Sequence, residues 1–360
     1  MENKSLAECG LLGKSGLRVS PLCLGTMTFG TEWGWGCDEN TARQMLSRYL
    51  DAGGNFIDTA DNYTNSKSEE IVGRFLKEQG RRERVVLASK FSFNTSPGDP
   101  NGGGNGRKHI MASIDASLRR LQTDYIDLYW LQAWDTATHV EEVMSTMDNL
   151  VHFGKVRYIG FSNTPAWYAA RAQTLAQWRG WERLCSMQME YSLVERDIER
   201  EHIPTARHLG MGICAWSPLA GGFLTGKYQR SGVGVTGKGR IQVMQDQGNL
   251  LTPRFSDKEW SILRVLQEVA GELHRSPAQV AINWVSSQPQ VDSTIIGATE
   301  TGQLGDLLAS LEFEIPLEQK RRLDEVGRLA GVYPYTFFTP EQLTTMAGGV
   351  RVRESVLVTR

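Results

Sequence analysis

Four polar side chains stand where short apolar runs end, and their types suit acid catalysis. Asp58 and Tyr63 lie in NFIDTADNY, Lys90 ends VVLASK, and Gln132 lies in IDLYWLQAW. A tyrosine hydroxyl has an ordinary pKa of about 10 and is a poor acid at neutral pH. A neighbouring ammonium lowers that pKa, and a carboxylate can hold the ammonium in place. The residue types therefore predict a proton relay of Tyr63, Lys90 and Asp58.

Each of these residues, taken alone, has an ordinary structural explanation. An aspartate at a strand end is commonly a cap, a tyrosine there is commonly a half-buried aromatic, and a lysine is commonly a surface charge. Only the joint arrangement indicates catalysis. It requires a fold that brings the ends of several strands to one place.

Short apolar or β-branched runs alternate with amphipathic stretches along most of the chain. The predicted strands are 22–26, 55–59, 85–90, 126–131, 158–162, 186–190, 212–216 and 293–297. Segments of helical character between them include 38–51, 68–79, 107–121, 139–153 and 164–177. Eight strand–helix repeats favour a closed (β/α)8 TIM barrel, although periodicity alone would also allow a long doubly wound sheet. In a barrel the C-terminal strand ends meet at one rim, which would gather the four candidate residues.

The chain is predicted to be a single barrel domain over 1–360, with a core at about 16–326 and a C-terminal tail at 333–360. Thr164-Pro165 and Ser276-Pro277 each predict a helix start with an N-cap followed by proline. The segments 94–106 and 219–253 are rich in turn residues and are predicted to be long loops on the C-terminal face.

Composition excludes several classes of protein. The 360 residues carry a net charge of −2, so no overall field favours nucleic acid or an acidic membrane surface. Five cysteines form no CxxC pair and six histidines form no HxH motif, so we expect neither disulfides nor a metal centre. The N-terminus lacks an apolar signal segment and no run of about 18 apolar residues follows, which predicts a cytoplasmic protein without a membrane anchor.

An ordered series of motifs runs from Gly16 to Val326. It comprises GLRVSPLCLGTMTFG, DTADNY, ASK, DYIDLYWLQAWD, GKVRYIGFSN, MQMEYSLVER, AWSPLAGGFLTGKY and IIGATE. In this order the motifs resemble the aldo-keto reductases, most nearly the bacterial-type and potassium-channel-β-like branches. The resemblance implies a TIM barrel that binds NADPH or NADH without a G-x-G-x-x-G loop. It also implies reduction of an aldehyde or ketone to an alcohol, with Tyr63 as the proton donor and Gln132 positioning the oxygen.

The resemblance assigns cofactor contacts by position. Ser162, Asn163 and Gln188 would hold the nicotinamide carboxamide, and Trp216 would stack on the nicotinamide ring. The other residues assigned to the cofactor are Gly25, Thr26, Ser217, Leu219, Gly221, Lys227, Arg240, Gly297, Thr299 and Gln303.

The stretch expected to meet the 2′-phosphate departs from the family pattern. In GATETGQLGDLL, Thr299 stands where an arginine often occurs, and Leu307 replaces a common asparagine. Gln303 can still hydrogen bond, and Arg240 and Lys227 can supply positive charge. NADPH is therefore the expected cofactor, with NADH the less favoured alternative.

A second departure concerns Gln132, because the matching family residue is usually histidine. A glutamine amide can donate a hydrogen bond to an oxygen, but it cannot shuttle a proton in the physiological range. Three interpretations follow: ordinary carbonyl reduction with a narrower substrate or pH range, reduction of an imine or activated C=C bond, or nucleotide binding in a regulatory subunit with weak catalysis. The intact Asp58, Tyr63 and Lys90 argue against the third.

Substrate identity is only coarsely indicated. Met27, Trp33, Trp35 and Trp130 could line an apolar pocket for an aromatic or bulky small-molecule carbonyl compound. Tryptophans beside glycine-rich loops equally often serve packing alone. The sequence indicates no oligomeric state.

Overall fold

Eight parallel strands form a closed barrel in the computed structural model, which describes residues 5–232, 234–249, 252–253 and 255–350. With two hairpins outside the barrel, the described residues form twelve strands. They are β1 (Gly10–Leu11), β2 (Arg18–Val19), β3 (Leu22–Gly25), β4 (Phe56–Asp58), β5 (Val86–Phe91), β6 (Ile126–Leu131), β7 (Val156–Ser162), β8 (Leu184–Glu190), β9 (Gly212–Trp216), β10 (Gln229–Ser231), β11 (Gly234–Thr236) and β12 (Ser293–Ile296). The helices are α1 (Glu39–Asp51), α2 (Lys67–Glu78), α3 (Arg107–Leu121), α4 (Val140–His152), α5 (Ala166–Arg179), α6 (His202–Leu209), α7 (Arg240–Asp246), α8 (Asp257–Glu272), α9 (Pro277–Ser286), α10 (Thr301–Leu308), α11 (Leu317–Val326) and α12 (Pro340–Met346).

The barrel confirms the predicted fold class. Its strands follow the order β12-β3-β4-β5-β6-β7-β8-β9, and β12 pairs with both β9 and β3 to close the ring. The strands 126–131 and 212–216 have the predicted bounds, and the other six differ by no more than two residues at either end. Alternation of apolar runs and turn residues was enough to place them, because each strand is buried on both faces.

The barrel interior is filled by side chains that alternate along the strands. Phe56, Val86, Ala88, Leu128 and Trp130 form one buried cluster with their neighbours on β3, β8 and β9. The helices pack outside against a second, larger apolar layer. Because the interior is solid below the rim, polar side chains at the C-terminal strand ends have only the mouth as open space.

An N-terminal hairpin closes the opposite end of the barrel. Leu12 and Val19, from the β1–β2 hairpin, are fully buried in the interior cluster. The Gly13 amide donates to Asp292 Oδ2 at 2.9 Å, and Lys14 N donates to the Gly210 carbonyl oxygen at 3.0 Å. Gly13 has a φ of 57°, and an added Cβ would lie 2.5 Å from the backbone of β9. Two residues per strand are too few to give a sequence signal.

The two predicted N-caps have different outcomes. Ser276 caps α9 as expected, with Gln279 completing a reciprocal capping box. The prediction for Thr164 is wrong, because Pro165 is extended (ψ 145°) and itself occupies the cap position of α5. The Thr164 hydroxyl is buried without a hydrogen-bond partner among the described residues.

The two predicted loops also differ. Residues 94–106 are irregular, as expected. The segment 219–253 is more ordered than predicted, since its described residues form a 3-10 turn (Ala220–Thr225), the β10–β11 hairpin and α7. Of the C-terminal tail, 333–350 is largely exposed and includes α12, whereas 351–360 lies outside the described residues.

No helix among the described residues has the length and apolar character needed to cross a membrane. No group of three or more histidine, cysteine or acidic residues among them is arranged to hold a metal ion.

Gly160 provides a test of the packed interior. A Cβ at Gly160 would lie 2.3 Å from the Trp130 ring, so Gly160→Ala should lower the free energy of unfolding by about 1–3 kcal/mol. Gly271→Ala is the matched control, because a Cβ there meets nothing within 4 Å and alanine favours a helix. Denaturant unfolding measures both, and equal stability of the two variants would contradict the packing described.

Candidate active site

The C-terminal strand ends bring the predicted catalytic side chains to one rim. Asp58 ends β4, Lys90 lies near the end of β5, and Gln132 follows β6 directly. Register pairs Asp58 with Gly25, and Lys90 with Trp130. Tyr63 reaches the same place from the turn after β4. The parallel register therefore gathers residues that are separated by up to 74 positions.

Lys90 is the centre of this group. Its Nζ donates to the Tyr63 hydroxyl at 3.0 Å and to the Thr59 carbonyl oxygen at 2.8 Å, and it forms an ion pair with Asp58 Oδ2. These contacts use all three of its donors. Lys90 is only 1% exposed and Asp58 only 2%. The residues of the predicted proton relay are thus joined by a contiguous set of contacts.

The second oxygen of Asp58 has its own partner. Gln188 Nε2 donates to Asp58 Oδ1 at 3.0 Å, and both side chains are buried. The resemblance assigned Gln188 to the nicotinamide carboxamide, and its contact with Asp58 adds a role that the sequence did not indicate. Gln188 orients the carboxylate that holds Lys90.

Burial and charge act in opposite directions on Tyr63. Burial raises the pKa of its hydroxyl above the ordinary value, while the Lys90 ammonium lowers that pKa and so offsets part of the shift. Lys90 acts as predicted, but removal of the hydroxyl from water outweighs it. Burial alone would lower the pKa of Lys90, but its interactions with Asp58 and Tyr63 outweigh burial, and the pKa is raised. At neutral pH the pair is an ammonium beside a neutral phenol.

Gln132 faces the mouth with an unused amide oxygen. Its backbone N–H donates to the Phe91 carbonyl oxygen at 2.9 Å and its carbonyl oxygen accepts from Asn163 Nδ2 at 2.8 Å, so the backbone is fixed on both sides. The side chain is 8% exposed, and Oε1 accepts no hydrogen bond from any described residue. A buried amide oxygen without a partner in the protein is available to a ligand.

Asn163 links several residues assigned to the cofactor. It has a left-handed φ of 48° and its Nδ2 also donates to Ser162 Oγ at 3.0 Å. Its Oδ1 accepts from Trp216 Nε1 at 3.2 Å, which orients the indole at the rim. Ser162, Asn163 and Trp216 are thus brought together as expected from their strand ends.

The long segment after β9 supplies the remaining assigned residues on that side. Ser217 (φ 57°) begins it, and its Oγ accepts from the Gly221 amide at 3.3 Å. Leu219 packs partly against the core. Lys227 Nζ lies beside Gly222 and Gly239, where added Cβ atoms would approach within about 3 Å of it.

An aromatic wall stands beside Tyr63. The Trp33 and Trp35 rings are 5.5 Å apart, and Trp33 meets the Tyr63 ring edge-on at 6.4 Å. The Arg240 guanidinium lies over Trp35 at 4.9 Å from the ring centroid. Arg240 also lies close enough to Tyr63 for its charge to lower the pKa of that hydroxyl, whereas the sequence assigned Arg240 to the cofactor. Met27 is partly exposed at the end of β3.

Two assigned residues are buried in ways that the sequence did not predict. Trp130 was expected in the substrate pocket but is fully buried in the barrel interior, against Gly160. Thr26 was expected on the cofactor, but its hydroxyl donates to the Asp58 carbonyl oxygen and accepts from Ser68. Trp130 occupies an inward position of β6 and belongs to the interior cluster, whereas Thr26 follows β3 directly and is held by its two hydrogen bonds.

The end of β12 is polar and open. Gly25 lies against β12, where a Cβ would meet Ile295, and Gly297 follows that strand. Beyond it, the Thr299 amide and hydroxyl both donate to Gln303 Oε1, at 3.0 and 3.2 Å. These residues share the C-terminal side with the site, without direct contact with Tyr63.

Sequence reasoning missed Glu190. This half-buried carboxyl ends β8 and pairs in register with Trp216. Burial and the nearby Glu195 raise its pKa to about 7, and Arg240 offsets part of that rise. The period-2 spacing of 186, 188 and 190 could have indicated it, because Gln188 already faced inward.

Comparisons with known proteins agree with this geometry. Residues 21–328 match the model of the aldo/keto reductase family. The "uncharacterized oxidoreductase YrpG" of Bacillus subtilis is 38% identical, covering 89% of this chain and 95% of its own. The NADP(+) aryl-alcohol dehydrogenase of Phanerodontia chrysosporium is 32% identical (90% and 86%), and the norsolorinic acid reductase of Aspergillus flavus is 32% identical (92% and 84%).

The buried ion pair can be tested by stability. Lys90→Met leaves the Asp58 carboxylate buried without its cation and should lower the free energy of unfolding by about 3–5 kcal/mol. The double variant with Asp58→Asn should recover part of that loss, as denaturant unfolding would measure. Arg43→Met breaks an exposed pair with Glu78 and should change stability by less than about 1 kcal/mol. If the losses in free energy of unfolding from Lys90→Met and Asp58→Asn simply add in the double variant, the pairing is contradicted.

Proposed function

The chain belongs to the aldo/keto reductase family, and from this premise we propose that it reduces the carbonyl group of an aromatic aldehyde or ketone with NADPH. The observation that carries the proposal is the contact of Lys90 with both Asp58 and Tyr63, beside Gln132, whose buried amide oxygen has no partner among the described residues. The family consists of nicotinamide-dependent oxidoreductases, so hydride transfer is its common chemistry.

The residues around the mouth fit an extended anionic cofactor. Gly221 and Gly222 have φ values of 67° and 94°, and a Cβ on Gly222 would fill the space 3.0 Å from Lys227 Nζ. Burial lowers the pKa of Lys227, and no acidic group among the described residues counteracts this shift. Ser217, Leu219, Gly221 and Lys227 would hold the pyrophosphate, with Arg240 nearby. Ser162, Asn163, Gln188 and Trp216 would hold the nicotinamide, and Gly25, Gly297, Thr299 and Gln303 would line its remaining borders.

The proposed chemistry divides between cofactor and protein. NADPH, when bound, would supply the hydride that reduces the carbonyl carbon. Tyr63 donates its proton to the carbonyl oxygen, and Lys90 stabilises the phenolate left behind. Asp58 and the Thr59 carbonyl keep Lys90 in place. Gln132 donates a hydrogen bond to the same oxygen, which strengthens as negative charge develops there.

The preference for an aromatic substrate rests on the wall of Trp33 and Trp35. Flat rings offer a large contact area to an aryl group, and their edges and faces favour offset or edge-on packing. One relative is named an aryl-alcohol dehydrogenase that uses NADP(+), which supports both the aryl group and the choice of NADPH. Met27 would border the same pocket.

Tyr63→Phe tests the proton donor. The substitution removes only the hydroxyl, so NADPH consumption with a panel of substituted benzaldehydes and acetophenones should fall by about 10²–10⁴-fold. NADPH binding, followed by fluorescence, should change little. Tyr125→Phe, at a hydroxyl that bonds Glu83 on the surface, is the matched control. Full activity of Tyr63→Phe would remove the tyrosine from the mechanism.

Gln132 is tested by two replacements of different chemistry. Gln132→Leu removes the hydrogen bond to a developing negative charge and should lower kcat/KM by about 10–150-fold. Gln132→His restores a donor that titrates near neutrality, so it should retain activity and introduce a new pH dependence of kcat/KM. Unchanged rates and profiles in both variants would count against contact with the substrate oxygen.

A further inference from the structure

Asp61 is a buried carboxyl outside the catalytic group. It lies two residues before Tyr63, is only 1% exposed, and neither carboxyl oxygen has a hydrogen-bond partner among the described residues. An ionised carboxylate in such a position would lose its hydration without compensation. Nothing in the relay of Tyr63, Lys90 and Asp58 uses Asp61.

The groups around Asp61 favour its neutral form. Burial and the negative charge of Glu69 raise the pKa of Asp61 to about 8, and Arg120 and Ser113 offset part of the rise. Arg120 is already paired with Glu69 at 2.6 Å, so its charge is largely compensated. The chargeable or polar groups that face Asp61 are Glu69 of α2, Ser113 and Arg120 of α3, and Tyr129 of β6, whose buried hydroxyl also has no partner among the described residues.

Asp61 begins the turn that presents the catalytic tyrosine. Its amide donates to the Lys90 carbonyl oxygen at 3.2 Å, and its carbonyl oxygen accepts from Ser66 Oγ at 2.6 Å. Between these anchors, Thr64, Asn65 and Ser66 have left-handed φ values of 46°, 54° and 71°. Three consecutive non-glycine residues in this region are strained and persist only where the surroundings hold them.

We propose that Asp61 is a positioning residue whose side chain stays buried only as the neutral acid, which keeps its backbone contacts with Lys90 and Ser66 in place, and that loss of its proton draws the carboxylate toward water and releases the turn presenting Tyr63. Release would move the Tyr63 hydroxyl away from Lys90 and stop proton donation. The proposal rests on the proposed function for its kinetic consequence, but the state of Asp61 itself is independent of any substrate.

The kinetic consequence is an alkaline limit that Tyr63 itself would not produce. Burial raises the pKa of Tyr63 above its ordinary value, so its own ionisation lies well above that of Asp61. In the wild type, kcat at saturating NADPH and aldehyde should fall about tenfold per pH unit above about pH 8, as one proton is lost.

Asp61→Asn separates neutrality from ionisation. The amide keeps the size of the neutral acid and cannot ionise, so it should retain most of the wild-type kcat at pH 7 and lack the fall near pH 8. Asp61→Ala should lower kcat across the whole range, with little effect on the affinity for NADPH. Asp292→Asn is the matched control, because Asp292 is a buried aspartate at the far end of the barrel whose pKa burial raises to about 6.

Stability gives a second readout that needs no substrate. An unfolded aspartate has a pKa of about 3.9. Between that value and about 8 the folded protein alone retains the Asp61 proton, so rising pH favours the unfolded chain. The contribution of Asp61 to the folding constant should therefore fall about tenfold per pH unit from about pH 4 to 8. The melting temperature of Asp61→Asn should rise relative to that of the wild type across this window. The corresponding rise for Asp292→Asn should stop near pH 6.

The outcomes separate cleanly. Parallel pH dependence of melting in wild type and Asp61→Asn would mean that Asp61 is ionised throughout, which overturns the proposal. If Asp61→Asn gains stability relative to the wild type as pH rises but keeps the wild-type alkaline limit in kcat, the positioning role is overturned. If the wild type reduces no carbonyl compound, the proposed function fails, while the melting series still decides the state of Asp61. Asp61→Ser, which also cannot ionise, repeats both series if the asparagine variant does not fold.

Discussion

Burying the Lys90 ammonium is possible only because Asp58 faces it within the mouth of the barrel, and most features of the site follow from that pair. An ammonium away from water needs an opposite charge and a full set of acceptors, which Asp58, Thr59 and Tyr63 supply. Asp58 in turn needs its second oxygen satisfied, which Gln188 does from the opposite side of the ring. The pair therefore ties β4, β5 and β8 together at the level where chemistry would occur.

Above this pair, three barrel strands are each followed by a residue with a positive φ. Ser92, Asn163 and Ser217 follow β5, β7 and β9 with φ values of 138°, 48° and 57°. Their side chains then form hydrogen bonds with neighbouring backbone or rim groups. Ser92 Oγ, for example, accepts from the backbone N–H of Gln132 at 3.1 Å. Such turns aim polar groups into the mouth and leave the aromatic wall on separate, glycine-rich loops. The hydrogen-bonded rim and the aromatic wall are thus built from different parts of the chain.

The sequence predicted the barrel and the catalytic group well because both depend on strong, repeated signals. Buried strands read as short apolar runs, and polar residues at their ends stand out by contrast. The sequence failed where a residue's role depends on its neighbours in space. Trp130 and Thr26 have types that suit a binding site, but the pleat turns them into packed structure. Thr164 has the type of an N-cap, and the conformation of Pro165 displaced it. Asp61 lies in DTADNY and Glu190 in MQMEYSLVER, but neither motif gave them a role, and only their surroundings make them distinctive.

The first and last barrel strands are neighbours although they are separated by most of the chain. β3 pairs with β12, and the Gly13–Asp292 hydrogen bond spans 279 residues. During synthesis from the N-terminus, β3 therefore waits with one open edge until β12 has emerged. Contacts of such long range slow folding, because loop-closure entropy is lost before the contacts form. The same adjacency means that the order of the strands around the ring does not depend on where the chain begins. A circular permutant with its original termini joined and its chain opened between two other neighbouring strands would keep every barrel pairing, and the wait would pass to the new first strand.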